Sequence, residues 1–196
     1  MTEYIGWHGT DEANKMAILS DGFHVEPFNF SQGKFPNDLG QGAYFFADFN
    51  GESGSKMAKQ YIKHYKRGNK LIKVLIKSEE DAVLDLDDSD NIVFLKNFYA
   101  QYEQAFDKCC NQMVAAYKRT HKGKKLRILD RGNFDGILIE MLIEELKKRD
   151  KEIEIVLKQT FLTVNMGTFV RKMSMIPNCQ EICVRNIDTI QILEEQ

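Results

Sequence analysis

Three short stretches hold the residues whose chemistry stands out. "YIGWHGT" sets His8, Gly9 and Thr10 at the end of an apolar, aromatic segment, "GAYFF" carries Tyr44, and "NCQEICV" places Glu181 among apolar residues near the C-terminus. An imidazole donates and accepts hydrogen bonds near neutral pH. A glycine leaves its backbone open to close approach. The electron-rich face of a tyrosine attracts a cation, and a carboxylate stabilises positive charge that develops beside it. Singly, each residue has an ordinary explanation: a satisfied histidine at a strand end, a core tyrosine, a solvated glutamate. Their joint occurrence in this order, with glycines and a helix between, is what calls for an account.

The elements that must position them follow from local patterns. The opening reads as a strand, a turn and a short helix in "DEANKMAILSDGF", with Asp11 capping its start, Ala13, Met16 and Ala17 at helical spacing, and Gly22 ending it. Residues 24–42 hold two of the three prolines and no sustained period, so they form a loop, expected to line the pocket over residues 26–40. "AYFFAD" is a short aromatic strand. "NGESGSK" breaks the chain before a helix in "KMAKQYIKHYKRG", which carries Tyr61. "KLIKVLIK" and "AVLDLDD" read as strands.

Beyond residue 90 the pattern changes. Leu95, Tyr99, Tyr102, Phe106, Cys109, Met113 and Ala116 alternate in steps of four and three, which predicts one long helix with a continuous apolar seam. That seam suits packing on a sheet, or docking of a partner helix. "GILIEMLIEELKKR" predicts a second helix, and Asp135-Gly136 a turn at the start of an element. "EIEIVLKQTFLTV" reads as a long strand, and "PNCQEICVRNIDTIQIL" as turn, strand, turn and strand.

At 196 residues, with 43% hydrophobic and 29% charged, the chain has the composition of one globular domain spanning 1–196. No apolar run approaches the roughly 20 residues that span a bilayer, so a cytoplasmic protein without membrane contact is expected. Cys109-Cys110 and Cys179/Cys183 make no CxxC pair and no histidine cluster accompanies them, which argues against a metal. The net charge of −2 conceals segregation. Lys56, Lys59, Lys63, Lys66, Arg67, Lys70 and Lys73 form one basic stretch and Lys118 to Arg127 another, with acidic "SEEDAVLDLDDSD" between. Such clusters raise the local concentration of anions, although a solvated face is the simpler reading.

The motifs and their order resemble the ADP-ribosyltransferase superfamily, in its His-Tyr-Glu branch of diphtheria toxin and the poly(ADP-ribose) polymerases. The resemblance covers residues 4–65 and 176–194, and hardly touches the middle. It implies an α+β fold of two packed, mainly antiparallel sheets with flanking helices, here with a helical insertion at about 91–150. It implies NAD as donor substrate and no metal. His8 would bind ribose hydroxyls, the Gly9 backbone would bind the nicotinamide carboxamide, and Thr10 would offer a hydroxyl at the same edge. A side chain at Gly9 would obstruct the amide. Nicotinamide would lie against Tyr44, with Tyr61 closing its other face if "NGESGS" is a local insertion. Glu181 would stabilise the charge that builds as the glycosidic bond breaks.

Arginine-specific members carry an arginine in the first motif and Glu or Gln two residues before the acid. Here those places hold His8 and Cys179, which disfavours an arginine acceptor. What the resemblance implies is a small stand-alone transferase similar to bacterial toxins, including toxin-antitoxin and anti-phage effectors. Its acceptor would be a protein or a nucleic acid, and an antitoxin or inhibitor protein a possible partner. An RNA 2'-phosphotransferase, a NAD glycohydrolase and a non-catalytic binding module share the fold as alternatives. The phosphotransferase expects further arginines and histidines that the sequence does not place. Among other polar residues, His24 in the long loop could touch a ligand, His64 and His121 are expected to be exposed, and Asp48 structural.

Overall fold

The computed structural model describes residues 1–65, 67–122, 133–161, 163–166, 170–173 and 177–195. The chain runs β1 (Thr2–Thr10), α1 (Glu12–Asp21), β2 (Ala43–Ala47), α2 (Gly54–Tyr65), β3 (Lys70–Ser78), β4 (Val83–Asp85) and α3 (Ser89–Thr120). It continues through α4 (Asn133–Lys147), β5 (Ile155–Thr160), β6 (Thr163–Met166), β7 (Val170–Met173), β8 (Cys179–Val184) and β9 (Ile190–Glu195). The architecture is mixed α+β.

In place of two separate sheets, one seven-stranded sheet runs β4-β5-β8-β2-β1-β3-β9, and β6-β7 form a small hairpin. Every pairing in the large sheet is antiparallel except β4 with β5. The β1–β3 ladder extends along the whole of β1, whereas the register of β1 on β2 is Trp7↔Phe46 alone. The sheet therefore parts along this seam. Ile72, Val74 and Ile76 of β3 share one apolar cluster with Phe45, Ile155, Leu157, Ile182 and Val184 from the other half. By register these side chains share one face, so both halves contribute to a single apolar cluster while remaining one hydrogen-bonded sheet. The strand expected over 152–164 is interrupted after Thr160, and Leu162 lies outside the described residues.

Helix α1 begins where Asp11 Oδ1 accepts the Asn14 N–H at 2.8 Å, and it ends at Gly22, φ +79°. Ala13, Met16 and Ala17 are nevertheless exposed, and its buried residue is Lys15. The periodicity is too weak to orient so short a helix. Before α2, Asn50 and Gly51 adopt positive φ, and Phe49 and Glu52 exchange backbone hydrogen bonds of 2.9 and 2.8 Å. This tight turn accounts for the break expected in "NGESGSK" ahead of the helix. Asp48 then accepts the Gly54 N–H at 2.7 Å, the structural role expected of it.

Helices α3 and α4 occupy the expected insertion; residues 123–132, including the end of the second basic stretch, lie outside the described residues. Along α3 the most deeply buried side chains are Phe98, Phe106, Cys110, Met113 and Ala116, with Leu95, Tyr99, Tyr102 and Cys109 flanking them half-buried. The seam shifts at non-helical Tyr102 (φ −112°, ψ 15°), where a local kink realigns the C-terminal half of the helix. Phe28, Phe30 and Phe35 of the long loop pack onto this helix pair with Phe106, Met113 and Ile137. His121 is half-buried rather than exposed, stacked on Tyr117 at 4.2 Å, and His64 is half-buried too.

Gly136, in the first turn of α4, is where the helix meets the loop. A Cβ there would be driven into the Asn37 carbonyl oxygen, a backbone atom that cannot swing aside. Gly136→Ala is expected to destabilise the fold by about 1–3 kcal/mol, read as a lowered urea midpoint at unchanged slope.

Candidate functional site

The parting between β1 and β2 opens a cleft of about 500 Å³. His8, Gly9, Thr10, Tyr44, Tyr61 and Glu181, contributed by β1, β2, α2 and β8, all line it. The two-residue alternation of strands explains much of this. In the β2–β8 ladder Phe46 stands opposite Glu181 and Tyr44 opposite Cys183, so Tyr44, Phe46 and Glu181 share a face. Tyr44 and Glu181 are diagonal neighbours there. Glu181 forms the floor, at 2% exposure.

His8 points to the other side of the parting. Its ring packs edge-on against Phe23, with centroids 5.3 Å apart, and against Phe45 at 5.8 Å. Its Nδ1 lies 2.9 Å from the Tyr44 carbonyl oxygen. A carbonyl only accepts, so Nδ1 carries the proton and Nε2 is left as an acceptor. Burial lowers the imidazole pKa, only partly opposed by that hydrogen bond. The ring is therefore neutral at neutral pH, suited to accept a hydroxyl proton.

This makes a signed prediction. As pH falls below the ordinary value of 6.5, the unfolded chain takes up a proton at this histidine before the native protein does. Stability from this source is complete above that value and falls as pH drops from it toward the depressed native pKa. The urea midpoint should drop between about pH 7.5 and about pH 5.5, and by less in His8→Asn.

Tyr44 has a second task. Its hydroxyl accepts the Leu39 N–H at 3.0 Å and donates to the Gly40 carbonyl at 2.8 Å. Burial, reinforced by Cys183 and Asp38, raises its pKa well above 10, so it stays a donor. Its ring is thus clamped to the end of the long loop. Gly40 and Gln41 are held from behind by Glu140 of α4, which accepts the Gln41 N–H at 2.6 Å and receives both arms of Arg185.

The geometry gives Gly9 a reason within the fold itself. A Cβ at this position would meet Ile62 Cγ2 at 2.5 Å and the Ala58 carbonyl oxygen at 3.1 Å. The space is required by α2, which crosses β1 there. Thr10, 6% exposed, closes the same strand end. Tyr61 reaches the cleft across Phe46, with ring centroids 5.4 Å apart.

The expected pocket loop contributes Asn37 and Asp38, while its phenylalanines serve as an anchor on the helices. His24 lines the cleft as expected. Asn14, Asp21 and Arg67 also line it, and none stands out in the sequence. Arg67 belongs by sequence to a basic stretch that reads as a solvated face. In the fold its Nη1 donates to the Tyr61 hydroxyl at 3.2 Å, and the guanidinium lies 5.6 Å from the centroids of both Tyr61 and Tyr65. An Arg six residues after an aromatic at a helix end is the signal that could have found it.

The cleft offers a neutral acceptor, aromatic faces, a deep carboxylate and further polar groups, which together can hold a polar ligand that carries a flat ring. Among the described residues, no group of three or more His, Cys, Asp or Glu side chains could hold a metal ion, and no helix is long and apolar enough to cross a membrane. Comparison with protein-family models and with curated proteins finds no match to this chain.

Proposed function

We propose that the protein is a NAD-dependent ADP-ribosyltransferase of the His-Tyr-Glu type, with the arrangement around the cleft as the fold's functional centre. The observation that supports this best is the convergence of His8, Tyr44, Tyr61 and Glu181 on one cleft from four separate elements. In this reading Nε2 of neutral His8 accepts a ribose hydroxyl. The nicotinamide ring lies among Tyr44, Phe46 and Tyr61, where π faces favour its positive charge. Glu181 faces the ribose, and its negative charge stabilises the oxocarbenium-like transition state. Asn14, Asp21, Asn37 and Asp38 supply hydrogen-bonding groups for the remainder of the dinucleotide.

A toxin or anti-phage role accords with a compact catalytic unit of this kind, with an inhibitor protein as its partner. The test is nicotinamide release from NAD by the purified protein and by Glu181→Gln. Release by the wild type that depends on Glu181 supports the reading. Absence of release, with or without added cell protein and nucleic acid, counts against it.

A further inference from the structure

We infer that the acceptor is a single-stranded nucleic acid, guided into the cleft along the outer face of α2; this rests on the transfer reaction proposed above. Lys56, Lys59 and Lys63 fall at i, i+3 and i+7 and are all exposed on α2, whose opposite face is buried through Met57, Ala58 and Ile62. Arg67, at i+11, carries the row past the helix end to the lip of the cleft. Along the helix the three lysines cover about 10 Å.

None of these lysines is needed for packing. Lys59 and Lys63 have no ion-pair partner among the described residues. Lys56 meets Glu52 at 2.6 Å, but that pair is open to water and readily exchanged for a phosphate. At the cleft end the row gains aromatic faces. Tyr65 is exposed, Tyr61 lies 4.8 Å from it, and Arg67 sits beside both rings. Cations that track a backbone along the helix, joined at its C-terminal end by rings on which bases stack, make a surface of the kind that holds single strands without reading sequence. Asp21 and Asp38 are the acidic side chains of the cleft besides Glu181, so the lysines of α2, outside it, are where a polyanion is drawn in. An acidic protein would answer the charges but would leave the ring platform unused.

In the transfer, a base nitrogen or hydroxyl of the strand bonds to the anomeric carbon of the nicotinamide ribose. That carbon's bond to the nicotinamide nitrogen breaks, the electron pair leaves with the now neutral nicotinamide, and the acceptor's proton is lost to water.

The experiment compares the wild-type protein with Lys59→Gln/Lys63→Gln in two assays. In the first, binding of a fluorescent single-stranded RNA or DNA oligonucleotide is followed against salt, without NAD. Removing one lysine–phosphate pairing should reduce the steepness of log K against log salt by about 0.7, so the double variant should lose about 1.4. In the second, labelled NAD is supplied with cell nucleic acid or cell protein, and nicotinamide release without acceptor is measured alongside. Label should enter nucleic acid, fall at least tenfold in the variant, and leave acceptor-free release unchanged. Failure of oligonucleotide binding, an unchanged salt slope, or label entering protein alone overturns the inference. Absence of nicotinamide release instead strikes the transfer reaction, and the binding assay still decides the α2 surface.

Discussion

Glu181→Gln should lower nicotinamide release by about 10²–10³-fold while leaving the fold intact, on the scale of removing one preorganised electrostatic contact to a transition state. The substitution keeps the side chain's length and nearly its volume, so the floor of the cleft between β2 and β8 stays filled. The variant lacks the negative charge at a site almost closed to water, at 2% exposure. In such surroundings a charge acts over a low effective dielectric and needs no solvent to reorganise around it. NAD affinity should change far less than the rate, because the positive charge on ribose develops only as the bond breaks. Glu181→Asp should also be slow, since one methylene fewer withdraws the carboxylate from the cleft. Retention of the wild-type rate by Glu181→Gln would remove the carboxylate from the chemistry.

The strand ends that form the cleft are legible because their signals are local. "YIGWHGT", "GAYFF" and "QEICV" each carry the two-residue alternation that decides which side chain faces which way. The order of strands is not local. Nothing in "KLIKVLIK" tells that β3 pairs along the whole of β1 while β2 does not, and this difference makes both the single sheet and its parting. Arg67, Asp21 and Asn14 escape a sequence reading for a related reason: each is an ordinary surface residue until the fold brings it to the cleft. The need for glycine at position 9 is legible, but the neighbour that enforces it, Ile62, lies on a helix more than fifty residues away. The phenylalanines at 28, 30 and 35 are a readable anchor in a segment otherwise resembling a free loop, and their partners lie on the helices that the resemblance hardly touches.

Among the contacts that tie those helices to the cleft is a buried ion pair, and breaking it should have the largest effect on stability. Arg185 Nη2 lies 3.0 Å from Glu140 Oε2, with side-chain exposures of 18% and 1%. Arg185 also donates to the Gln41 carbonyl at 3.1 Å. Removing one partner strands a charge away from water, so Arg185→Leu or Glu140→Met alone should cost about 3–5 kcal/mol. Replacing both removes the stranded charge. The double variant should regain much of that loss but keep a deficit of about 1–3 kcal/mol, because the Gln41 amide loses its acceptor. Urea midpoints for the two singles and the double test this directly; additive losses would show that the pair does not act as a unit. The consequence for the site is specific. Gln41 adjoins Gly40, whose carbonyl takes the Tyr44 hydroxyl, so a double variant that folds should hold that ring less firmly. In the proposed reaction its KM for NAD should rise more than its kcat falls, since Glu181 on the strand beneath is undisturbed.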